Sequence, residues 1–355
     1  MRYVSLKQAA AGMVLANELY DSYGRTLIGA NHPLTDSYIE KLQKYGFWGV
    51  YISDELSEGI EVESVISPQL KARGMESVRA CNIDECKKVA KQIVEEILDS
   101  GKVSLDLADL RSYDDYTYAH SVNVGVICGV IGMGMYMSEQ DMIHLVTAAL
   151  LHDLGKLSIP PEILNKPGRL TPEEYAAMKT HAKKSYELIC ERWDISAKVK
   201  TAVLFHHENV DGSGYPNGID GASQTLFTKI LHVADVYDAL VSKRPYKNPY
   251  SPYEASEYMM GMCGSMFDRQ VVDALLRFVP LYPKGTTVLL SNGRTGIIYE
   301  NAGIHNLRPI LRMTDGTMMD MADSRCLNLA LAPVDVFYEE IETAEKSRHE
   351  MIKLV

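Results

Sequence analysis

The chain has six cysteines, Cys81, Cys86, Cys128, Cys190, Cys263 and Cys326, and none of them forms a CxxC pair. The spacing is no disulfide framework for a chain of this length, so a stapled secreted fold is excluded and a reducing cytoplasm is expected. Positive charge is short as well. Lys and Arg number 36 against 47 Asp and Glu, a formal net charge of -11. That balance argues against a nucleic-acid polymer as partner, while a local basic cluster can still hold a small anion. Long apolar runs are missing too. The best one, VGVICGVIGMGMYM from Val124 to Met137, is shorter than the ~18 residues a membrane span needs and reads as a buried helix. The start, MRYVSLKQAA, lacks the apolar core of a signal peptide. What remains is a soluble globular profile, 46% hydrophobic and 23% charged over 355 residues, which fits two or three domains.

Residues 1–65 read as a small α+β unit. GMVLANELYD and GRTLI are short strands with DSYG as their turn. LTDSYIEKLQKYG is a helix capped by Thr35 or Asp36 and ended by Gly46, and WGVYI is a returning strand. ELSEGIEVESVISPQ is polar and aperiodic, so residues 66–101 are expected as a linker and a helix. Val89, Ile93, Ile97 and Leu98 give that helix its spacing. It either packs on the next domain or serves as a dimerising or signalling helix.

Residues 102–282 carry long helical patterns and almost no strand signal. In TPEEYAAMKTH, Thr171 is an N-cap, Pro172 suits the first turn, and Glu174 completes a capping box. Residues 283–335 differ. TTVLLSNGRTGIIYE predicts a hairpin turning at Asn292-Gly293, and RPILRMTDGTMMDMA a second around Asp315-Gly316. A charged helical tail is expected over 336–355.

The chemistry concentrates in the helical part. LLHDLGK places His152 and Asp153 at the end of an apolar helical run, where a buried His-Asp doublet is costly unless paired or ligated. His120 stands at the polar start of another apolar helix. His181 lies in the helix capped by Thr171, and Asp235 on a helix that is mostly apolar. Residues 206–218 read HHENVDGSGYPNG. His206 and His207 are neighbours, and neighbouring helical side chains point about 100° apart, so the two rings are expected to reach different atoms of one site. Five histidines and two aspartates are too many ligands for one ion and fit two. Mixed imidazole and carboxylate donors suit iron, manganese, nickel or zinc, and paired metals serve in-line phosphoryl displacement. Cationic groups stand near in sequence: Lys156, and Lys243, Arg244 and Lys247 in SKRPYKNPY.

HDLGK, HHE, DGSGYP, VADVYDAL and RPY, in this order and spacing, resemble the HD-GYP subgroup of the HD phosphohydrolase superfamily. The resemblance covers residues 102–282. It implies a mainly α fold, an all-helical HD-type domain flanked by the α+β and β units. It also implies hydrolysis of cyclic di-GMP to linear pGpG and on to GMP, with iron or manganese as cofactor. Carried over by position, the metal ligands are His120, His152, Asp153, His181, His206, His207 and Asp235, with Asp153 bridging. The family's phosphate-contacting lysine falls on Lys156 and its ligand-facing tyrosine on Tyr215. Its arginine and lysine after the last ligand fall on Arg244 and Lys247. Asp153 and Lys156 are thus the catalytic pair. Some members hold a third metal with a glutamate where this chain has Tyr116, so two transition-metal ions are expected. Partners implied are cyclic di-GMP and GGDEF-domain proteins docking at the GYP loop, with a homodimer left open. Competing readings are a non-catalytic sensor or GGDEF-docking module, and a phosphodiesterase for another cyclic dinucleotide such as cyclic GMP-AMP.

Several neighbours are expected to act otherwise. His232 is read as a core histidine and His144 as no ligand. Asp238, one turn after Asp235, is read as holding a ligand histidine in one tautomer. Glu208 and Asp211 are expected to tie down the GYP loop, and Met133, Met135 and Met137 to fill the core.

Overall fold

The computed structural model describes residues 1–21, 23–47, 49–62, 64–100, 116–166, 168–242, 250, 252–301 and 308–333. The N-terminal unit begins with β1 (Arg2–Ser5), then β2 (Val14–Leu15), β3 (Leu19–Tyr20), β4 (Thr26–Ile28), α1 (Asp36–Lys44) and β5 (Gly49–Ser53). β3 and β4 form the expected hairpin, closed by Gly24 N–H donating to Asp21 O at 3.0 Å. The Thr35 side chain caps α1 by accepting from Tyr38 N. β1 pairs with β5 in an antiparallel sheet of order β1-β5-β2. The sequence pattern alone gives no strand at β1. Leu15, Leu34, Leu42, Val50 and Ile52 form this unit's own core.

The helical body follows: α2 (Pro68–Arg79), α3 (Ile83–Ser100), α4 (Tyr116–Gly134), α5 (Glu139–Leu151), α6 (Pro161–Leu164), α7 (Pro172–Glu187), α8 (Ala197–Phe205), α9 (Leu226–Val241), α10 (Pro252–Gly261) and α11 (Arg269–Phe278). α2 begins inside a stretch expected to be linker. Ser67 caps it with Pro68 in its first turn, and Leu70, Met75 and Val78 join the same core as Val89, Ile93 and Ile97 of α3. α3 therefore packs on the helical body, the first of its two expected roles. α4 is apolar all round and its neighbours α2, α5, α9 and α11 enclose it. Ile127, Val130 and Ile131 are buried there, which explains the apolar run without a membrane. Among the described residues, no helix is long and apolar enough to cross one. Met133, Met135 and Met137 pack against this core as expected. The capping box at Thr171 and Glu174 forms as expected.

The C-terminal unit is a five-stranded antiparallel sheet of order β10-β6-β7-β8-β9, built from β6 (Thr287–Leu290), β7 (Thr295–Glu300), β8 (Ile310–Met313), β9 (Met318–Asp320) and β10 (Leu331–Pro333). Both expected hairpins are present. Gly293 and Gly316 take positive φ at their turns, the conformation glycine tolerates best. The two terminal units touch: Tyr3 N donates to Gly285 O at 2.9 Å, and the Arg312 guanidinium donates to Glu58 O. The expected tail over 336–355 lies outside the described residues.

Candidate metal centre

Helix ends build the site. α5 stops at His152, its C-cap, and Asp153 caps the 3-10 turn Leu154–Ser158 that follows. α8 likewise stops at His206, with His207 just beyond. The last carbonyls of a helix have no partner within it. Here they take imidazole protons: His152 Nδ1 donates to Ala149 O at 2.7 Å and His206 Nδ1 to Val203 O at 2.8 Å. His181, inside α7, does the same to Met178 O at 2.8 Å. A carbonyl only accepts, so all three rings carry a proton on Nδ1, and their Nε2 atoms point into the cluster.

Those atoms have no protein partner that suits them. His181 Nε2 lies 3.2 Å from His206 Nε2. Burial lowers the pKa of His181 to about 4 and that of His206 well below its ordinary value. Both rings are neutral at pH 7, so neither Nε2 has a proton to donate and no hydrogen bond joins them. His207 Nε2 stands 3.1 Å from His181 Nε2. His152 Nε2 and Asp153 Oδ1 are buried with no hydrogen-bond partner. Converging lone pairs and an orphaned carboxylate oxygen are a poor protein interior and a good cation site.

The two aspartates connect the groups. Asp153 Oδ1 is 3.4 Å from His181 Nε2, while its Oδ2 is 3.4 Å from His152 Nε2 and 3.8 Å from His120 Nε2. Asp235 on α9 lies 2.9 Å from His120 Nε2, 3.9 Å from His152 Nε2 and 3.8 Å from His207 Nδ1. Three triads of donor atoms result: His181, His206 and His207; His120, His152 and Asp153; and His152, His206 and Asp235. All seven expected ligand residues are thus together, and the cluster could hold divalent metal ions. Burial would raise the pKa of both aspartates, but the histidines and Lys156 around Asp153, and the hydrogen bond from His120 to Asp235, outweigh it, and both are held well below the usual carboxylate range.

His206 and His207 share His181, while His206 also joins His152 and Asp235. Their rings lie 4.1 Å apart at 45°, and both reach His181. His206 is the C-cap of α8 and His207 lies beyond it, so the 100° helical offset does not govern them.

Residues around the cluster hold it in place. Asp238, one turn after Asp235, accepts from His120 Nδ1 at 2.7 Å and from Asn123 Nδ2 at 3.2 Å. Burial disfavours a charged His120, yet Asp235 and Asp238 outweigh it and raise its pKa to about 9. His232 Nδ1 donates to His206 O at 2.8 Å and packs against Phe267, a core role as expected. His144 stands 3.1 Å from Gln140 Nε2, away from the cluster. Gly155 brings the His152-Asp153 turn against α7. A Cβ there would fall 2.1 Å from His181 O, and Gly155 N donates to Ser185 Oγ at 2.7 Å. Close approach, rather than permissive φ, is what this position requires.

Lys156 Nζ is 2.5 Å from Asp153 Oδ2, so this cation sits at the cluster itself. The GYP loop folds back over the site as expected. Gly212 takes φ +80, and a Cβ on Gly214 would fall 2.4 Å from His207 O. The Glu208 carboxylate accepts from the backbone N–H groups of Asn217, Gly218 and Ile219 at 2.7, 3.0 and 3.1 Å. Asp211 accepts from Ser213 N at 2.9 Å. Tyr215 is half-buried, its ring stacked on His207 at 4.7 Å and 27°. Lys243, Arg244 and Lys247, and the side chain of Tyr116, lie outside the described residues.

A helical body with a His-Asp cluster at its helix ends defines an HD-type protein. Residues 102–271, just under half of the chain, match the HD domain family, and this match together with the curated relatives supports an HD-GYP/HD phosphohydrolase. The chain is 34% identical over 235 residues to a cyclic di-GMP phosphodiesterase of Pseudomonas aeruginosa, covering 66% of this chain and 56% of that protein. It is 35% identical over 174 residues to a 3'3'-cGAMP-specific phosphodiesterase of Vibrio cholerae, covering 49% of this chain and 38% of the relative. It thus spans about half the length of the Pseudomonas relative, and less of the Vibrio one. Among solved structures, an HDG"Y"P protein from Bdellovibrio bacteriovorus shares the fold. Its TM-score is 0.51 at 15% identity, over 77% of this chain and 97% of that one.

Proposed function

We propose that this chain is a metal-dependent phosphodiesterase that hydrolyses cyclic di-GMP to linear pGpG in bacterial second-messenger signalling. One observation carries the reading: the Nε2 atoms of His181 and His206 converge with no proton between them, beside the unpartnered Nε2 of His152 and an orphaned oxygen of Asp153. Two ions fit that donor set, whose mixture of imidazole and carboxylate suits iron, manganese, nickel or zinc; the resemblance to the HD-GYP subgroup favours iron or manganese among these. His181, His206 and His207 would hold one and His120 and His152 the other. Asp153 would bridge, its two oxygens facing different histidines, with Asp235 as the second carboxylate. The metals would supply Lewis-acid polarisation of the scissile phosphate and a nucleophile at neutral pH.

The chain's own residues do the rest. Asp238 accepts the Nδ1 proton of His120 and leaves Nε2 facing Asp235 and Asp153, where it would ligate on losing the proton it shares with Asp235. Lys156 places its charge at the cluster, where a phosphate oxygen competes with Asp153 for it. Tyr215, held by the Glu208-anchored loop, forms the wall next to His207. Arg244 and Lys247 are assigned to the substrate phosphates by position in the motif.

A second reading, hydrolysis of cyclic GMP-AMP, is favoured by the Vibrio relative. Turnover of cyclic di-GMP, 3'3'-cyclic GMP-AMP and cyclic di-AMP by metal-loaded protein, with product chromatography, decides. The proposal expects pGpG from cyclic di-GMP at the highest kcat/KM. Preference for cyclic GMP-AMP moves the assignment to the second reading, and no turnover of any of the three leaves a binding module.

A further inference from the structure

Two residues on the rim of the cluster have no part in the chemistry proposed above. Tyr175 and Lys179 lie one turn apart on α7, the helix that carries His181. Such i, i+4 residues share a helix face. The Lys179 Nζ sits 4.9 Å from the centre of the Tyr175 ring and 5.7 Å from that of Tyr215. Tyr215 in turn stacks on His207. The ammonium therefore stands one aromatic ring outward from the histidines.

Its surroundings set it apart from the lysines nearby. Lys156 pairs with Asp153, Lys166 with Glu174, and Lys183 with Glu187, while Lys184 donates to Ser158 O. Among the described residues, no carboxylate lies within ion-pair distance of Lys179. Two ring faces hold it by cation–π attraction. Ring faces satisfy an ammonium's charge in part and none of its three N–H donors conventionally. A restrained, half-buried cation with open donors beside a phosphate-type centre is a site for an anion.

We propose that Lys179, held against the rings of Tyr175 and Tyr215, binds the phosphate of a cyclic dinucleotide that is not at the metal centre. This rests on the phosphodiesterase reading. A cyclic dinucleotide carries two phosphates and presents only one to the His-Asp cluster at a time. The other needs a cation further out, all the more on a chain of net charge -11. Tyr175, 40% exposed, adds an open ring face on which a base can stack. The two lysines thereby divide the substrate between them. Lys156 acts at the reacting phosphate, and Lys179 selects substrates that have a second one.

The test compares kcat/KM for cyclic di-GMP with kcat/KM for bis(p-nitrophenyl) phosphate, a diester with one phosphate. Wild type, Lys179→Met and Lys179→Arg are assayed with metal content measured on each preparation. The ratio should fall roughly tenfold in Lys179→Met, the low end for a charge-assisted contact. The loss should fall mainly in KM for the dinucleotide. Lys179→Arg should recover most of the ratio, and Tyr175→Leu should lower it in the same direction. An unchanged ratio in Lys179→Met overturns the inference. So does a ratio that falls together with metal content, which would make Lys179 structural. Wild-type protein that turns over no cyclic dinucleotide overturns the phosphodiesterase reading itself, and this inference with it.

Discussion

Asp238 accepts the Nδ1 proton of His120 at 2.7 Å, joining α9 to α4 across 118 residues of sequence. The bond orients His120 Nε2 towards Asp235 and Asp153. Supporting carboxylates of this kind typically govern roughly 10–100-fold in metal affinity. Asp238→Ala should therefore weaken metal retention against a chelator by about that factor. Circular dichroism should show the same helix content. Wild-type retention in this variant would mean that His120 is oriented by Asp235 and packing alone.

Gly155 gives a packing test of the same site. Its missing Cβ would overlap His181 O at 2.1 Å, and backbone cannot move aside as a flexible side chain can. Gly155→Ala should cost about 1–3 kcal/mol or more, as overpacked cores do, and should loosen metal binding by shifting α7. Gly261→Ala, where nothing lies within 4 Å, serves as control and should be neutral or slightly stabilising. Urea midpoints of the two variants measure the difference. Equal midpoints would remove the close-approach argument.

The histidines also predict how the metal-stripped protein responds to acid. Burial lowers His181 from 6.5 to about 4, and pushes His206 and His207 the same way. Between those values the unfolded chain binds protons that the folded chain refuses. This stability is present above pH 6.5 and lost as pH falls towards 4, at up to about 1.4 kcal/mol per pH unit for each group. His120 works the other way. Its pKa of about 9 in the fold adds stability below pH 6.5 that is lost as pH rises through 9. The urea midpoint of metal-free protein should thus drop between pH 7 and pH 5, and His181→Gln should flatten the drop. A midpoint that holds steady or rises over that interval contradicts the burial of neutral rings.

Much of this is legible in the residues alone. Thr171 with Glu174, and Asn292 with Gly293, are local signals that operate within a few residues, and both form in the fold. Six of the seven His and Asp positions are legible because they sit on or beside an apolar helix where an unpaired polar group is costly; His181 lies on the polar helix α7 and is placed by the motif resemblance. Asp238 is legible from its i, i+3 spacing to Asp235. Other features depend on approach through space. β1 is short and is fixed by pairing with β5. α2 looks like linker because its polar residues hide Leu70, Met75 and Val78, which only the helical core selects. Gly155 looks merely permissive because nothing local reveals His181 O across from it. His206 and His207 look like neighbours on a helix because no local signal marks the end of α8 just before them. Lys179 gives no signal at all. Its meaning comes from Tyr215, brought over from a different loop.

The central claim is that Asp153 joins the two halves of one metal centre, its oxygens facing His181 on one side and His152 and His120 on the other. Metal analysis of anaerobically purified wild-type and Asp153→Ala protein tests this most directly. The account predicts about two transition-metal ions per wild-type chain, as paired-metal phosphoryl chemistry requires, and near-complete loss of both in Asp153→Ala with the helical fold retained. A single ion in the wild type, or full occupancy in the variant, would contradict it.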